Sequence, residues 1–177
     1  MKTTNFFIEL LVIGIGAVVC IILGMYALFD FDISYFKSLS NPLFVFPISA
    51  IIYVLGIVFD RIFDVLTEKF DKKIRAKFLS DAEYNTVRAI YYDDSPSVQQ
   101  IFDYSRSRIR ISRSWMFYFM ILALLSLILY FIKGNGQILA VSIFLFLLSV
   151  ASVLAWRKLS HSFNGLLEII YKLKSKK

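Results

Sequence analysis

The chain has 177 residues, of which 58% are hydrophobic, with a mean hydropathy of +0.68 and a formal net charge of +7. Soluble domains hold roughly half apolar and about a quarter charged residues, so this composition sets aside a soluble globular domain and points to an integral membrane protein. One Cys and one His leave no intrachain disulfide and too few ligands for a transition-metal centre, so no metal and no cofactor are expected.

In chain order, the first apolar run is Leu10 to Phe29. It continues well past the length of a signal-peptide core and lacks a small-residue cleavage site, so it is expected to be a retained helix. Glu9 stands at its start, where a helix N-terminus favours a carboxylate. An acid this close to an apolar run is a functional suspect by default, but the simpler expectation is an interfacial, structural role. Gly16, Cys20 and Gly24 recur every four residues and form a small-residue stripe that lets another helix approach closely. That helix belongs either to the same chain or to a second copy.

A loop with a single Lys, Lys37, leads to the second run, Leu43 to Phe59, the shortest of the four. Pro47 interrupts it and is expected to kink it, a candidate gating feature. Beyond Phe59 the apolar positions Phe59, Ile62, Phe63, Leu66, Phe70, Ile74 and Phe78 keep a three-to-four spacing, so the helix should run on as a stalk. Glu68/Lys72 and Asp71/Arg75 stand at i,i+4 on the polar face. Ser80 and Glu83 form a capping box for a short helix to about Tyr92. Ser95-Pro96 then opens a helix that runs unbroken into the third apolar run, Trp115 to Ile132. A tight KGNG turn connects it to the fourth, Ile138 to Trp156. The remaining tail repeats the stripe at Leu159, Phe163, Leu166, Leu167, Ile170 and Leu173.

Each of the four runs comes near the ~20 residues that span a bilayer, and backbone groups in hydrocarbon must pair within a helix. The first and last loops carry one Lys each, whereas residues 60–114 carry eleven Lys and Arg and the tail six. By the positive-inside rule both termini and the middle segment are cytoplasmic. The expected fold is therefore all-α: a four-helix transmembrane bundle with a cytoplasmic helical extension between spans 2 and 3. Residues 6–59 form one transmembrane hairpin, 60–114 the extension, 115–156 a second hairpin and 157–177 a basic tail.

Arg106, Arg110 and Arg113 share one face of the helix entering the third span, with Arg108 pointing elsewhere. Guanidinium groups stacked there can contact a partner protein or anionic lipid. The plainer reading is a topology signal whose side chains snorkel to headgroups beside Trp115. Asp93, Asp94 and Asp103 are placed to neutralise part of the cluster. Arg157 and His161 are three residues apart, short of the four-to-six spacing of HEPN ribonucleases. No catalytic constellation is present, and an enzyme is the least expected class.

The stretch YSRSRIRISRSW, leading into a hairpin of spans, resembles small multi-pass membrane proteins of bacterial anti-phage defence loci. These include the transmembrane effectors of CBASS-type and retron-type systems and the membrane subunit of Kiwa. The resemblance covers the general plan and residues 95 to 132. It implies an inner-membrane protein that works with a soluble partner detecting infection, and it brings no catalytic residues with it. The stripe of Gly16, Cys20 and Gly24 favours a homo-oligomer through the spans. The apolar stripes of the cytoplasmic helices favour a cytosolic protein partner, and no direct contact to nucleic acid is expected. The alternative is a small channel or transporter subunit, or a passive anchor for a cytosolic protein.

Overall fold

A computed structural model describes residues 2–29, 45–92 and 96–174, and all the secondary structure among them is helical. There are five helices: α1 (Lys2–Phe29), α2 (Val45–Arg75), α3 (Asp81–Tyr92), α4 (Pro96–Lys133) and α5 (Gly136–Lys174). The all-α bundle read from the hydropathy pattern is what forms. Four of the helices, all but α3, are long and apolar enough to cross a membrane. Three of them continue without a break from an apolar half into a polar one. At one end of the bundle lie the start of α1, the stalk of α2, all of α3, the start of α4 and the end of α5. This is called the basic end below.

The local signals explain the boundaries. Gly134 takes a left-handed φ of 65° and donates its N–H to Tyr130 O at 2.8 Å, which closes α4. Asn135 then accepts the Gln137 N–H at 2.9 Å and caps α5. The capping box forms as expected: Ser80 N–H donates to Glu83 Oε2 at 2.8 Å, and Glu83 N–H to Ser80 Oγ at 3.3 Å. The stalk stops at Arg75, short of Phe78, and a turn over 76–78 leads to α3. Of the two i,i+4 pairs expected along it, Lys72–Glu68 forms at 2.6 Å. Arg75 pairs instead with Asp81, also at 2.6 Å, which ties the stalk to the start of α3.

Pro47 does not interrupt α2. It is the third residue of the helix, in the first turn, where a missing N–H forfeits no intrahelical bond. The carbonyl it was expected to free belongs to Leu43, which lies outside the described residues. The segment on which a kink at Pro47 would act thus lies outside the described residues.

The spans pack in the order α2, α1, α4, α5, with α1 and α4 central and the outer two covered far less. The α1–α2 crossing is a backbone contact. A Cβ on Gly14 would lie 1.8 Å from Ile52 O, and one on Gly56 would lie 2.0 Å from Leu10 O. Only glycine fits at either position. The α4–α5 seam uses serine. Ser142 Oγ donates to Ala123 O at 2.8 Å, and Ser149 Oγ donates to Met116 O at 3.0 Å. The spacing of seven returns both hydroxyls to the same face. Between α1 and α4, Ile13, Ala17, Cys20, Tyr118 and Leu122 form a core that Phe63 of α2 joins.

The basic end has a second core. Leu79, Val87, Phe102 and Leu167 are buried there, with Phe78, Val98, Phe163, Leu166 and Ile170 packed around them. The tail stripe thus covers the start of α4 and α3. The stalk stripe is only partly covered: Phe63 is buried, whereas Ile62, Leu66 and Phe70 stay exposed.

Candidate functional site

At the junction between the two cores, charged side chains from three helices meet. Asp60 ends the apolar half of α2, and Arg113 precedes that of α4. Asp60 is 6% exposed and Arg113 is 3% exposed. Arg113 Nη2 donates to Asp60 Oδ1 at 3.1 Å, and Nη1 donates to Asp64. Asp71 Oδ2 lies 3.8 Å from the same Nη1. One guanidinium is therefore bracketed by three carboxylates, spaced so that they share one face of α2. A buried ion is tolerated only when it is paired and hydrogen-bonded, and here each of the two buried ions is the other's partner.

A second pair lies beside the first. Glu9, on α1, is 3% exposed. Arg110 Nε is 2.8 Å from Glu9 Oε1 but off the line of its own N–H, so that contact is purely ionic. The hydrogen bond runs from Arg110 Nη2 to Glu9 Oε2 at 3.3 Å. The guanidinium carbon also sits 5.1 Å from the centre of the Phe6 ring. Glu9 does not stand at the helix N-terminus as expected, since α1 begins at Lys2 and has no acid in its first turn. It lies two turns in, and its partner is a guanidinium of another span.

The four arginines do different things. Arg113 and Arg110 are committed to carboxylates. Arg106 is exposed and held by no ion pair with a described residue. Arg108 faces away and lies 5.5 Å over the Tyr104 ring. Asp93 and Asp94, expected to neutralise the cluster, lie outside the described residues; Asp60, Asp64 and Glu9 do that work instead. The stalk acids were legible as the polar face of the α2 extension, though not as partners of α4. Asp60, Asp64 and Asp71 repeat on one helical face, as Arg106, Arg110 and Arg113 do on another. Each set was legible, but their pairing was not.

The Gly16–Cys20–Gly24 stripe is occupied within the chain. A Cβ on Gly16 would lie 2.4 Å from the Tyr118 ring, the Cys20 thiol faces Tyr118 O at 3.8 Å, and Leu125 stands opposite Gly24. Of the two partners left open for it, α4 of the same chain is the one seen. His161 packs edge-on against Phe78, with ring centres 4.7 Å apart.

Around the junction an open cleft of about 1370 Å³ faces outward from the basic end. Its walls are α2 on one side and α4 on the other. Phe6, Ile8 and Val12 of α1 form its apolar rim, and Ser160 and Asn164 of α5 line it too. Comparisons with protein-family models, with curated proteins and with solved structures returned no match.

Proposed function

We propose that this chain is a multi-pass protein of a bacterial inner membrane, with its basic end in the cytoplasm, acting as a membrane effector or sensor. In this reading a soluble partner or signal engages the cytoplasmic core, and the change passes to the spans through α2, α4 and α5. The junction network carries the proposal. Three continuous helices cross the boundary, and the buried Arg113–Asp60 pair fixes two of them against each other at the crossing point. A buried pair of this kind is bistable: it is either made or strongly unfavourable. The resemblance of residues 95 to 132 to anti-phage defence proteins supplies the setting, in which the partner detects infection.

The protein works as a homo-oligomer without catalytic chemistry. Because α4 covers the glycine stripe of α1, contacts between copies fall to the outer faces of α2 and α5, the two least covered spans. The test is a phage challenge of cells carrying the protein with its neighbouring genes. Protection should be lost with Arg113→Ala while membrane insertion persists. Equal phage yields with and without the wild-type gene would contradict the reading.

A further inference from the structure

The two long walls of the cleft carry opposite charge. From α2 it is lined by Asp60, Asp64, Glu68 and Asp71 against Arg61, Lys72 and Arg75, and from α4 by Arg106, Arg110 and Arg113 against Asp103. Six carboxylates and six cations line the cleft as a whole, so a ligand of large net charge gains little there. The local balance is uneven, however. Lys72 is taken by Glu68 and Arg75 by Asp81, so among the described residues Arg113 is the one cation ion-paired with Asp60, Asp64 and Asp71. That sets three carboxylates against one guanidinium, with only Arg61 besides on that wall. On the α4 wall Arg106 has no ion-pair partner among the described residues. Two further groups lining the cleft are buried and unsatisfied: Arg113 Nε and Ser160 Oγ. Buried polar atoms without partners mark places where a polar ligand or solvent bonds.

We infer that this cleft is a binding site for the headgroup of a phospholipid bearing a primary ammonium. The phosphate lies against Arg106 and the free edge of Arg110. The ammonium lies against Asp64 and Asp71, whose carboxylates retain lone pairs beyond their contacts with Arg113. The acyl chains leave over Phe6, Ile8 and Val12, at the level where the apolar sequence of α1 begins. A zwitterion matches walls of opposite sign, a purely anionic headgroup meets the α2 carboxylates, and a quaternary ammonium cannot donate hydrogen bonds to them. The inference rests on the proposed placement of the basic end at a membrane surface.

The experiment is native mass spectrometry of the full-length protein, exchanged into mixed micelles of phosphatidylethanolamine, phosphatidylcholine and phosphatidylglycerol. Retention of phosphatidylethanolamine should exceed that of either competitor by about tenfold, the worth of one charge-assisted hydrogen bond. Arg106→Ala and Asp71→Asn, both outside the buried pair, should each bring the three lipids close to equal retention while helicity and melting are unchanged. Soluble glycerophosphoethanolamine, added in excess, separates the sources. Displacement of the lipid assigns the site to the shared phosphate-and-ammonium chemistry, and failure to displace it assigns the site to the intact lipid. Equal retention of all three lipids by the wild type, or a preference for phosphatidylglycerol, overturns the inference alone. Retention of no phospholipid at all overturns the membrane placement with it.

Discussion

The two cores of this molecule are built on different physics. Between the spans, helices meet through what they lack: Gly14 and Gly56 bring backbones into contact, and small serines let α5 settle onto α4. Lipid is as apolar as leucine, so burying leucine there gains little, and close packing with interhelical hydrogen bonds must hold the helices. At the basic end Phe102, Leu79, Val87 and Leu167 do the ordinary work of a water-facing core. The difference teaches where each region is vulnerable: the spans to added volume, the basic end to removed volume.

Removing volume gives the largest expected effect. Phe102→Ala should cost the basic-end core about 3–5 kcal/mol. Hydrogen exchange should show α3 and the end of α5 losing protection, while residues 116–130 of α4 keep theirs. Adding volume comes next. Gly56→Val places a side chain on the Leu10 carbonyl and should cost about 1–3 kcal/mol, read as a lower melting temperature in detergent. The same substitution at exposed Gly136, where nothing lies within 4 Å, should change it far less.

Much of this contrast was legible beforehand. The hydropathy runs, the KGNG turn and the Ser80–Glu83 box each act over a few residues, so the sequence carries them whole. What was not legible depends on which faces meet. Gly16 reads as a better contact residue than Gly14 because it belongs to a four-residue repeat. Yet Gly14 faces the α2 backbone and Gly16 faces the ring of Tyr118, and no periodicity distinguishes them. Likewise Asp60, Asp64 and Asp71 look like a solvated face until α4 is laid against them.

Two smaller effects sharpen the comparison. Ser149→Ala removes one interhelical hydrogen bond and should cost about 0.6 kcal/mol, a shift seen only in a reversible unfolding series. At the basic end, the backbone N–H and hydroxyl of Ser80 hold the exposed Glu83 carboxyl below its ordinary value. Its contribution is present above the unfolded-state pKa of roughly 4.3 and is lost as pH falls through the lower folded value. Amide protection of α3 should therefore differ between wild type and Glu83→Ala at neutral pH, and the two should converge in acid.

The junction belongs to both regions, and the claim that Arg113 and Asp60 bind them into one unit is open to direct measurement. A double-mutant cycle with Arg113→Met and Asp60→Leu, read by unfolding of the bilayer-reconstituted protein, isolates the pair. Arg113→Met leaves Asp60 buried without a counter-charge and should cost about 3–5 kcal/mol. Asp60→Leu leaves Arg113 with Asp64 and Asp71 and should cost less, and the double mutant recovers part of the first loss. Strict additivity of the two single losses would contradict the account.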